Sequence, residues 1–132
     1  MASAGRAAAS EGTEVLALDC FDAGPAELSR ADGVLLGTPA RFGYMSGAMK
    51  DFLERVYYPC LEARLRLAYG LFVKGDTDTS GAVQSVERIV SGMAWRRVLP
   101  VLEVVGETTE ADRQAAAELG GAFVAGLESG VL

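Results

Sequence analysis

Residues 31 to 53 give the clearest indication of the fold and read Ala31-Asp32-Gly33-Val34-Leu35-Leu36-Gly37-Thr38-Pro39-Ala40-Arg41-Phe42-Gly43-Tyr44-Met45-Ser46-Gly47-Ala48-Met49-Lys50-Asp51-Phe52-Leu53. The run from Asp32 to Gly37 is short, apolar and closed by glycine, as expected of a strand buried on both faces. Apolar residues then recur at steps of three and four, which indicates an amphipathic helix: Met45, Ala48, Met49, Phe52, Leu53 and Val56. A buried strand followed by an amphipathic helix is the repeating unit of an α/β fold.

The same alternation continues on both sides of this stretch. Three further segments predict strands: Glu14–Asp19, Leu67–Val73 and Arg97–Val105. Helices are predicted at Met1–Ser10, at Pro25–Leu28, along the stripe Val83, Val86, Ile89, Val90 and Met93, and along the stripe Ala115, Leu119, Ala122, Phe123 and Leu127. Strands that alternate with helices in this way predict one α/β domain over residues 1–132, with a parallel sheet between two layers of helices.

Local signals set the expected ends of these elements. Pro59 is expected to stop the helix that starts near Met45, and the segment Leu61–Leu67 reads as a loop or a short helix. Pro100 cannot donate to a sheet ladder and therefore assigns its strand to an edge of the sheet. Thr109 followed three residues later by Asp112 resembles a capping box that opens the last helix.

Composition excludes several classes of function. The 132 residues carry 12 Lys plus Arg against 18 Asp plus Glu, a net charge of -6, which argues against a nucleic-acid partner. No apolar run approaches the roughly 20 residues that span a bilayer, and the N-terminus lacks the apolar core of a signal peptide. The two cysteines stand alone and predict free thiols in a reducing cytoplasm. Because the chain has no histidine, Ser-His-Asp and Cys-His catalysis and His-ligated metals are excluded.

The first candidate loop is Gly37–Tyr44, which follows the buried strand. Gly37 and Gly43 let the backbone approach a flat ligand closely, and Pro39 fixes the direction of the turn. Arg41, Phe42 and Tyr44 add a charge and two aromatic faces. The alternative is an ordinary strand-to-helix turn whose aromatic side chains cap the core.

The second candidate loop, Lys74–Ala82, also joins a strand to a helix. Its glycines and hydroxyls suit a phosphate, but two aspartates would repel one, so the edge of a flat neutral ring is the better ligand. A calcium loop is a weaker alternative, since its ligand spacing is met but a strand rather than a helix precedes it; the residues concerned are Asp76, Asp78, Ser80, Gly81 and Glu87.

The stretch Ala31–Leu53 resembles the flavodoxin-like superfamily, and within it the NAD(P)H:quinone oxidoreductases of the tryptophan-repressor-binding-protein type and the NADPH-dependent FMN reductases. The resemblance implies a three-layer sandwich with strand order 2-1-3-4-5 and bound FMN. One loop would contact the flavin ring, largely through its backbone: Thr38, Pro39, Ala40, Arg41, Phe42, Gly43 and Tyr44. The next loop would supply Gly75, Asp76, Thr77, Asp78, Ser80 and Gly81.

The resemblance also implies a function, namely electron transfer from NAD(P)H to quinones or similar small acceptors. No side chain is assigned as catalytic, because the flavin itself reacts and the protein places and tunes it. The alternative is a non-enzymatic electron carrier, or a relative with impaired FMN binding. The expected partners are the flavin and a small electron acceptor. A homo-oligomer is possible, and neither a membrane nor a nucleic acid is expected as a partner.

The chain departs from the family at its start. The family's first strand, which is central in the sheet, and the Ser/Thr-Gly loop that binds the FMN phosphate have no counterpart before Glu14. Three interpretations are open: a longer natural protein, a degenerate relative, or closure of the gap by neighbouring strands or a partner chain. The first is preferred, and without the phosphate loop the chain is expected to bind FMN weakly.

Overall fold

Strand β1 (Gly33–Arg41) lies inside the sheet of the computed structural model, which describes residues 13–131. It pairs in parallel with β3 (Ala68–Gly75), from Gly33 opposite Ala68 to Pro39 opposite Lys74. Both predicted strands are thus confirmed, and β1 is longer than expected. Residues 38–41, predicted as loop, belong to the strand because they continue into a hairpin.

That hairpin is closed by β2 (Tyr44–Met45), a two-residue strand antiparallel to the end of β1. Its turn consists of Phe42 and Gly43, whose φ angles are +52° and +72°. Positive φ at both central residues is the mark of a type I′ turn, whose twist suits a two-residue hairpin. The parallel sheet therefore carries one antiparallel strand that the apolar pattern does not reveal.

The far edge of the sheet contains β4 (Arg96–Arg97) and β5 (Leu102–Val105), both parallel to β3. The single strand predicted over Arg97–Val105 is interrupted at residues 98–101, where Pro100 cannot donate to the ladder. The edge position predicted from Pro100 is confirmed. The strand order is β2-β1-β3, and β3 then pairs with β4 at its start and with β5 farther along.

In residues 13–131 four helices accompany the sheet: α1 (Pro25–Ser29), α2 (Gly47–Glu62), α3 (Ser80–Gly92) and α4 (Glu110–Ser129). Pro59 lies inside α2 and does not end it, contrary to expectation. The last turn persists because Cys60 is buried in the core and the Ala63 N–H donates to the Pro59 carbonyl at 3.0 Å. The capping box of Thr109 and Asp112 is confirmed.

Helices α2 and α3 pack on one face of the sheet and α4 on the other. The first interface is the main core, and its most buried members are Leu53, Val56, Leu71, Val73, Val86 and Val90. On the opposite face Phe123 lies against Gly33 and Gly70. A Cβ would stand 2.8 Å from its ring on Gly33 and 3.6 Å from it on Gly70. This contact orients α4 with Gly120 and Val124 inward and leaves Ala122, a predicted core residue, exposed.

The segment Glu14–Asp19 is not a strand, which corrects the prediction. Within residues 13–131 it pairs with no strand. The residue just before it, Thr13, donates through Oγ1 to Glu128 Oε2 at 2.6 Å. Within residues 13–131, the edge of β1 that faces away from β3 pairs only with β2, through Ala40 and Arg41. The helix predicted at Met1–Ser10 lies outside the described residues. Cys20 and Cys60 are free thiols, and between residues 13 and 131 no helix is long and apolar enough to cross a membrane.

Candidate functional site

The two candidate loops meet at the carboxyl ends of β1 and β3, which are neighbours in the sheet. Gly81, in the first turn of α3, lies against the hairpin turn so closely that a Cβ on it would stand 2.1 Å from the Gly43 carbonyl oxygen. Backbone therefore touches backbone at this point. In parallel α/β sheets the space beyond the carboxyl ends of the strands is where ligands bind.

The hairpin is also tied to α3 by a buried hydrogen bond. The Met45 N–H donates to Ser85 Oγ at 3.0 Å, and the Ser85 hydroxyl donates to the Ala82 carbonyl at 2.8 Å. Ser85 was not among the predicted site residues. Its signal was a lone hydroxyl between Ala82 and Val86, which are both fully buried.

The side chains of two threonines in the candidate loops form hydrogen bonds within the protein and do not face the space where a ligand would bind. Thr38 is buried, and its Oγ1 accepts from the Ser46 N–H at 2.9 Å and donates to the Pro39 carbonyl at 2.9 Å. Thr79 is also buried and donates through Oγ1 to Glu103 Oε1 at 2.6 Å, which joins the second loop to β5. Only the backbone of Thr38 remains for the ring contact that the resemblance assigned to it.

The hairpin tip presents four exposed residues: Arg41, Phe42, Gly43 and Tyr44. Phe42 is fully exposed although its backbone is in the left-handed region, a conformation that costs a non-glycine residue roughly 1–2 kcal/mol. The alternative that the aromatic side chains cap the core is wrong, because Met45 is the residue that enters the core here. An exposed aromatic side chain on a strained turn is a functional-site signal.

The loop between β3 and α3 exposes Asp76, Thr77 and Asp78. The Asp78 carboxylate accepts the backbone N–H of Ser80 at 3.0 Å and its hydroxyl at 2.9 Å. These bonds favour the ionised form and lower the pKa of Asp78 below its ordinary value. Asp78 and the Ser80 hydroxyl are thus occupied with each other at the start of α3.

The calcium alternative fails on the geometry of this loop. A strand, β3, leads into it where an EF-hand requires a helix. Glu87, the would-be last ligand, pairs with Arg97 of β4. No cluster of three or more potential metal ligands occurs in residues 13–131.

A cavity of about 220 Å³ opens between the ends of β1 and β3, and we call it the strand-end cavity. Its lining residues are Pro39, Ala40, Arg41, Lys74, Gly75 and Asp76. Lys74 is half-buried and donates through Nζ to the Gly106 carbonyl at 3.0 Å. Five of these six residues were predicted site residues; Lys74 was not, although it directly precedes them at the strand end.

A larger groove of about 630 Å³ lies at the other end of the molecule, between α3 and β4. It is lined by Tyr69, Gln84, Glu87, Arg88, Ser91 and Arg97. Tyr69 is the second residue of β3, so this groove opens near the amino ends of the strands. That location makes it a poor candidate for the main ligand.

Comparisons with known proteins agree with the fold. The chain superposes on a flavodoxin from the domain Archaea with a TM-score of 0.80 at 17% identity, covering 96% of this chain and 86% of that one. For a WrbA-like flavodoxin from Agrobacterium tumefaciens the TM-score is 0.69 at 19% identity, over 79% of this chain and 71% of that one. No protein-family model matches the chain.

Two curated proteins align over parts of the sequence, and both are named NAD(P)H dehydrogenase (quinone). The protein of Acidithiobacillus ferrooxidans is 41% identical over 61 residues, which are 46% of this chain and 30% of that enzyme. The protein of Syntrophus aciditrophicus is 62% identical over 29 residues, 22% of this chain and 14% of that enzyme. The aligned segments thus span less than a third of either relative, while the structural similarity confirms the predicted flavodoxin-like fold.

Proposed function

We propose that this chain, whose fold is flavodoxin-like, binds FMN beyond the carboxyl ends of β1 and β3 and transfers electrons from NAD(P)H to quinones or similar small acceptors. The observation that carries the proposal is the direct contact between the hairpin turn and the first turn of α3, at Gly43 and Gly81. Aligned enzymes named NAD(P)H dehydrogenase (quinone) support the choice of donor and acceptor.

The residues present suit the ring of a flavin. Phe42 and Tyr44 offer exposed aromatic faces at the hairpin tip, and Asp76 and Thr77 lie in the exposed loop across from it. The side chains of Thr38 and Ser85 are bonded within the scaffold, so these two residues can offer the ring only their backbone groups. Such a binding mode depends on the shape of the loops more than on any one side chain.

Bound FMN would supply the hydride and electron-transfer chemistry, which no ordinary side chain can perform. The chain then has two tasks: to hold the ring rigidly and to leave one edge open to donor and acceptor. The bond between Met45 and Ser85 serves the first task by fixing the hairpin to α3. Phe42 and Tyr44 are exposed, which is compatible with a ring edge that donor and acceptor can reach.

Steady-state oxidation of NADH and NADPH tests this function. The chain is supplied with FMN, and consumption of each coenzyme is followed with 1,4-benzoquinone as acceptor. Turnover that requires both protein and FMN supports the proposal. Turnover at the rate of free FMN alone contradicts it.

A second candidate is a non-enzymatic electron carrier on the same fold. The net charge of -6 favours it, because an acidic protein can dock on basic redox partners. A carrier would bind FMN but accept electrons only from a separate reductase. Reduction of the bound flavin by NAD(P)H alone therefore separates the two candidates.

A further inference from the structure

The strand-end cavity contains two cationic side chains, Arg41 and Lys74, that form no ion pair within residues 13–131. We propose that it is a phosphate-monoester site, in which Arg41 and Lys74 bind the phosphate of FMN through their side chains. This inference rests on the proposed function and adds a phosphate anchor to it, in which Arg41 of the hairpin tip acts through its side chain rather than its backbone.

The strand register brings the two cations to one face of the sheet. Pro39 lies opposite Lys74 in the parallel pair of β1 and β3. Because side chains alternate along a strand, Arg41, two residues beyond Pro39, projects to the same face as Lys74. The strand spacing and rise put their Cα atoms roughly 8 Å apart, within reach of one small anion for two long side chains.

The surrounding charges also favour an anion here. Four other cations of the described segment are paired with carboxylates, namely Lys50, Arg55, Arg97 and Arg113. Five further cations of residues 13–131 also lack an ion pair, and of the unpaired ones Arg41 and Lys74 are the two that line this cavity. Asp76 is the one carboxylate among the residues that line it.

The main objection to a phosphate in this loop was its two aspartates. In the structure only one of the two, Asp76, lines the cavity. Asp78 does not, and its carboxylate accepts hydrogen bonds from the N–H and the hydroxyl of Ser80. The structure also adds Arg41, which the other loop contributes. Arg41 and Lys74 thus line the strand-end cavity with one carboxylate, Asp76. A second carboxylate, Asp112, has its pKa lowered by hydrogen bonds from Thr109 and also by the ammonium of Lys74, which lies near it.

The donor chemistry matches a phosphate monoester, which carries about -1.5 to -2 charges near pH 7. The guanidinium of Arg41 is a planar fork that can donate two parallel hydrogen bonds to phosphate oxygens. The ammonium of Lys74 uses one of its donors on the Gly106 carbonyl at 3.0 Å and keeps its others free. That bond also fixes the ammonium before the ligand arrives.

The experiment compares FMN with riboflavin, which has the same ring but no phosphate. Fluorescence titrations give both dissociation constants for the wild-type chain and for Arg41→Gln, Lys74→Met and Asp76→Asn. Arg30→Gln is the matched control, because Arg30 is exposed and lies just before β1, at the opposite end of that strand from Arg41. Circular dichroism confirms that each variant is folded.

We expect FMN to bind more tightly than riboflavin, by about tenfold or more, since hydrogen bonds between charged groups are the strong ones. Arg41→Gln and Lys74→Met should each reduce this preference while riboflavin binding persists. Asp76→Asn should increase it and Arg30→Gln should leave it unchanged. Equal binding of FMN and riboflavin by the wild-type chain, or a preference that survives both cation variants, overturns the inference while the proposed function stands.

If neither flavin binds, the proposed function fails and the anion site is decided separately. Inorganic phosphate is then titrated into the 15N-labelled chain, and the amide shifts of Arg41 and Lys74 are followed. Saturable shifts at these residues that disappear in Arg41→Gln support the site. An unchanged spectrum overturns it.

Discussion

Gly81 of α3 lies against Gly43 of the hairpin turn, with no room for even a methyl group between them: a Cβ on Gly81 would be 2.1 Å from the Gly43 carbonyl oxygen. The two loops that follow β1 and β3 are therefore one structural unit. Movement of either loop displaces the other. The predictions below follow from this coupling and from the groups that maintain it.

Gly81→Ala should push the two loops apart, because the atom in its way is backbone and cannot rotate aside. We expect a loss of about 1–3 kcal/mol in the free energy of unfolding, as for other overpacked sites, and weaker FMN binding. Gly47→Ala is the matched control, since Gly47 also lies in the first turn of a helix but a Cβ there meets nothing within 4 Å. It should stabilise the fold by roughly 0.5–1 kcal/mol. Urea denaturation measures both, and equal effects would contradict the coupling.

Ser85→Ala should leave the buried N–H of Met45 without an acceptor. The expected cost is about 1–3 kcal/mol, together with a looser hairpin. Ser91→Ala, on the same helix, removes an exposed hydroxyl bonded only to the Arg88 carbonyl and should change stability by less than about 0.5 kcal/mol. Hydrogen exchange at Met45 reports the effect directly. Protection of that amide in Ser85→Ala equal to wild type would show that the hydroxyl does not hold the hairpin.

Phe42→Gly should stabilise the fold and weaken the function. Glycine adopts a φ of +52° without strain, so we expect a gain of up to about 1 kcal/mol, while the exposed aromatic face is lost. Ala94→Gly relieves a comparable φ of +59° far from the proposed site, after α3, and should stabilise without any change in FMN affinity. Thermal unfolding and FMN titration are measured on both variants. Unchanged FMN affinity in Phe42→Gly would remove Phe42 from the site.

Acid should destabilise the chain through Asp78 and Asp112. Each accepts backbone and side-chain hydrogen bonds at a helix start, from Ser80 and Thr109 respectively, so its pKa is lower in the folded chain than in the unfolded one. The stabilisation is complete above the unfolded pKa, about 3.9, and is lost as pH falls through the folded pKa. The double variant Asp78→Asn/Asp112→Asn should therefore be less stable at neutral pH and lose less stability below about pH 4.

Urea denaturation between neutral and acid pH compares the two profiles. Asp32→Asn is the control, because Asp32 is exposed and its carboxylate, unlike those of Asp78 and Asp112, accepts no hydrogen bond from residues 13–131. It should keep the wild-type acid dependence. Parallel profiles for the wild type and the double variant would show that these two carboxylates do not set it.

Elements with a strong local pattern could be predicted from the sequence. The apolar run before Gly37 and the three-and-four spacing from Met45 each determine one element without help from distant residues. The capping box of Thr109 and Asp112 is equally local. The edge position of Pro100 followed from a missing donor, which is a property of that residue alone.

Features that depend on long-range pairing could not be predicted. Glu14–Asp19 has the composition of a strand, but a strand exists only where a neighbour completes its ladder. The β1–β2 hairpin was missed because Phe42 is an unusual residue for a turn with positive φ. Lys74 and Arg41 are 33 positions apart in the numbering, and only the register of β1 with β3 brings them to one cavity.

The binding place proposed for FMN is the point where the hairpin tip meets the start of α3. A titration of the 15N-labelled chain with FMN, followed by amide chemical shifts, tests it most directly. We expect saturable shifts concentrated at residues 40–44 and 75–81, with the groove around Glu87 and Arg97 unaffected. Shifts confined to that groove, or no saturable shifts at all, would contradict it.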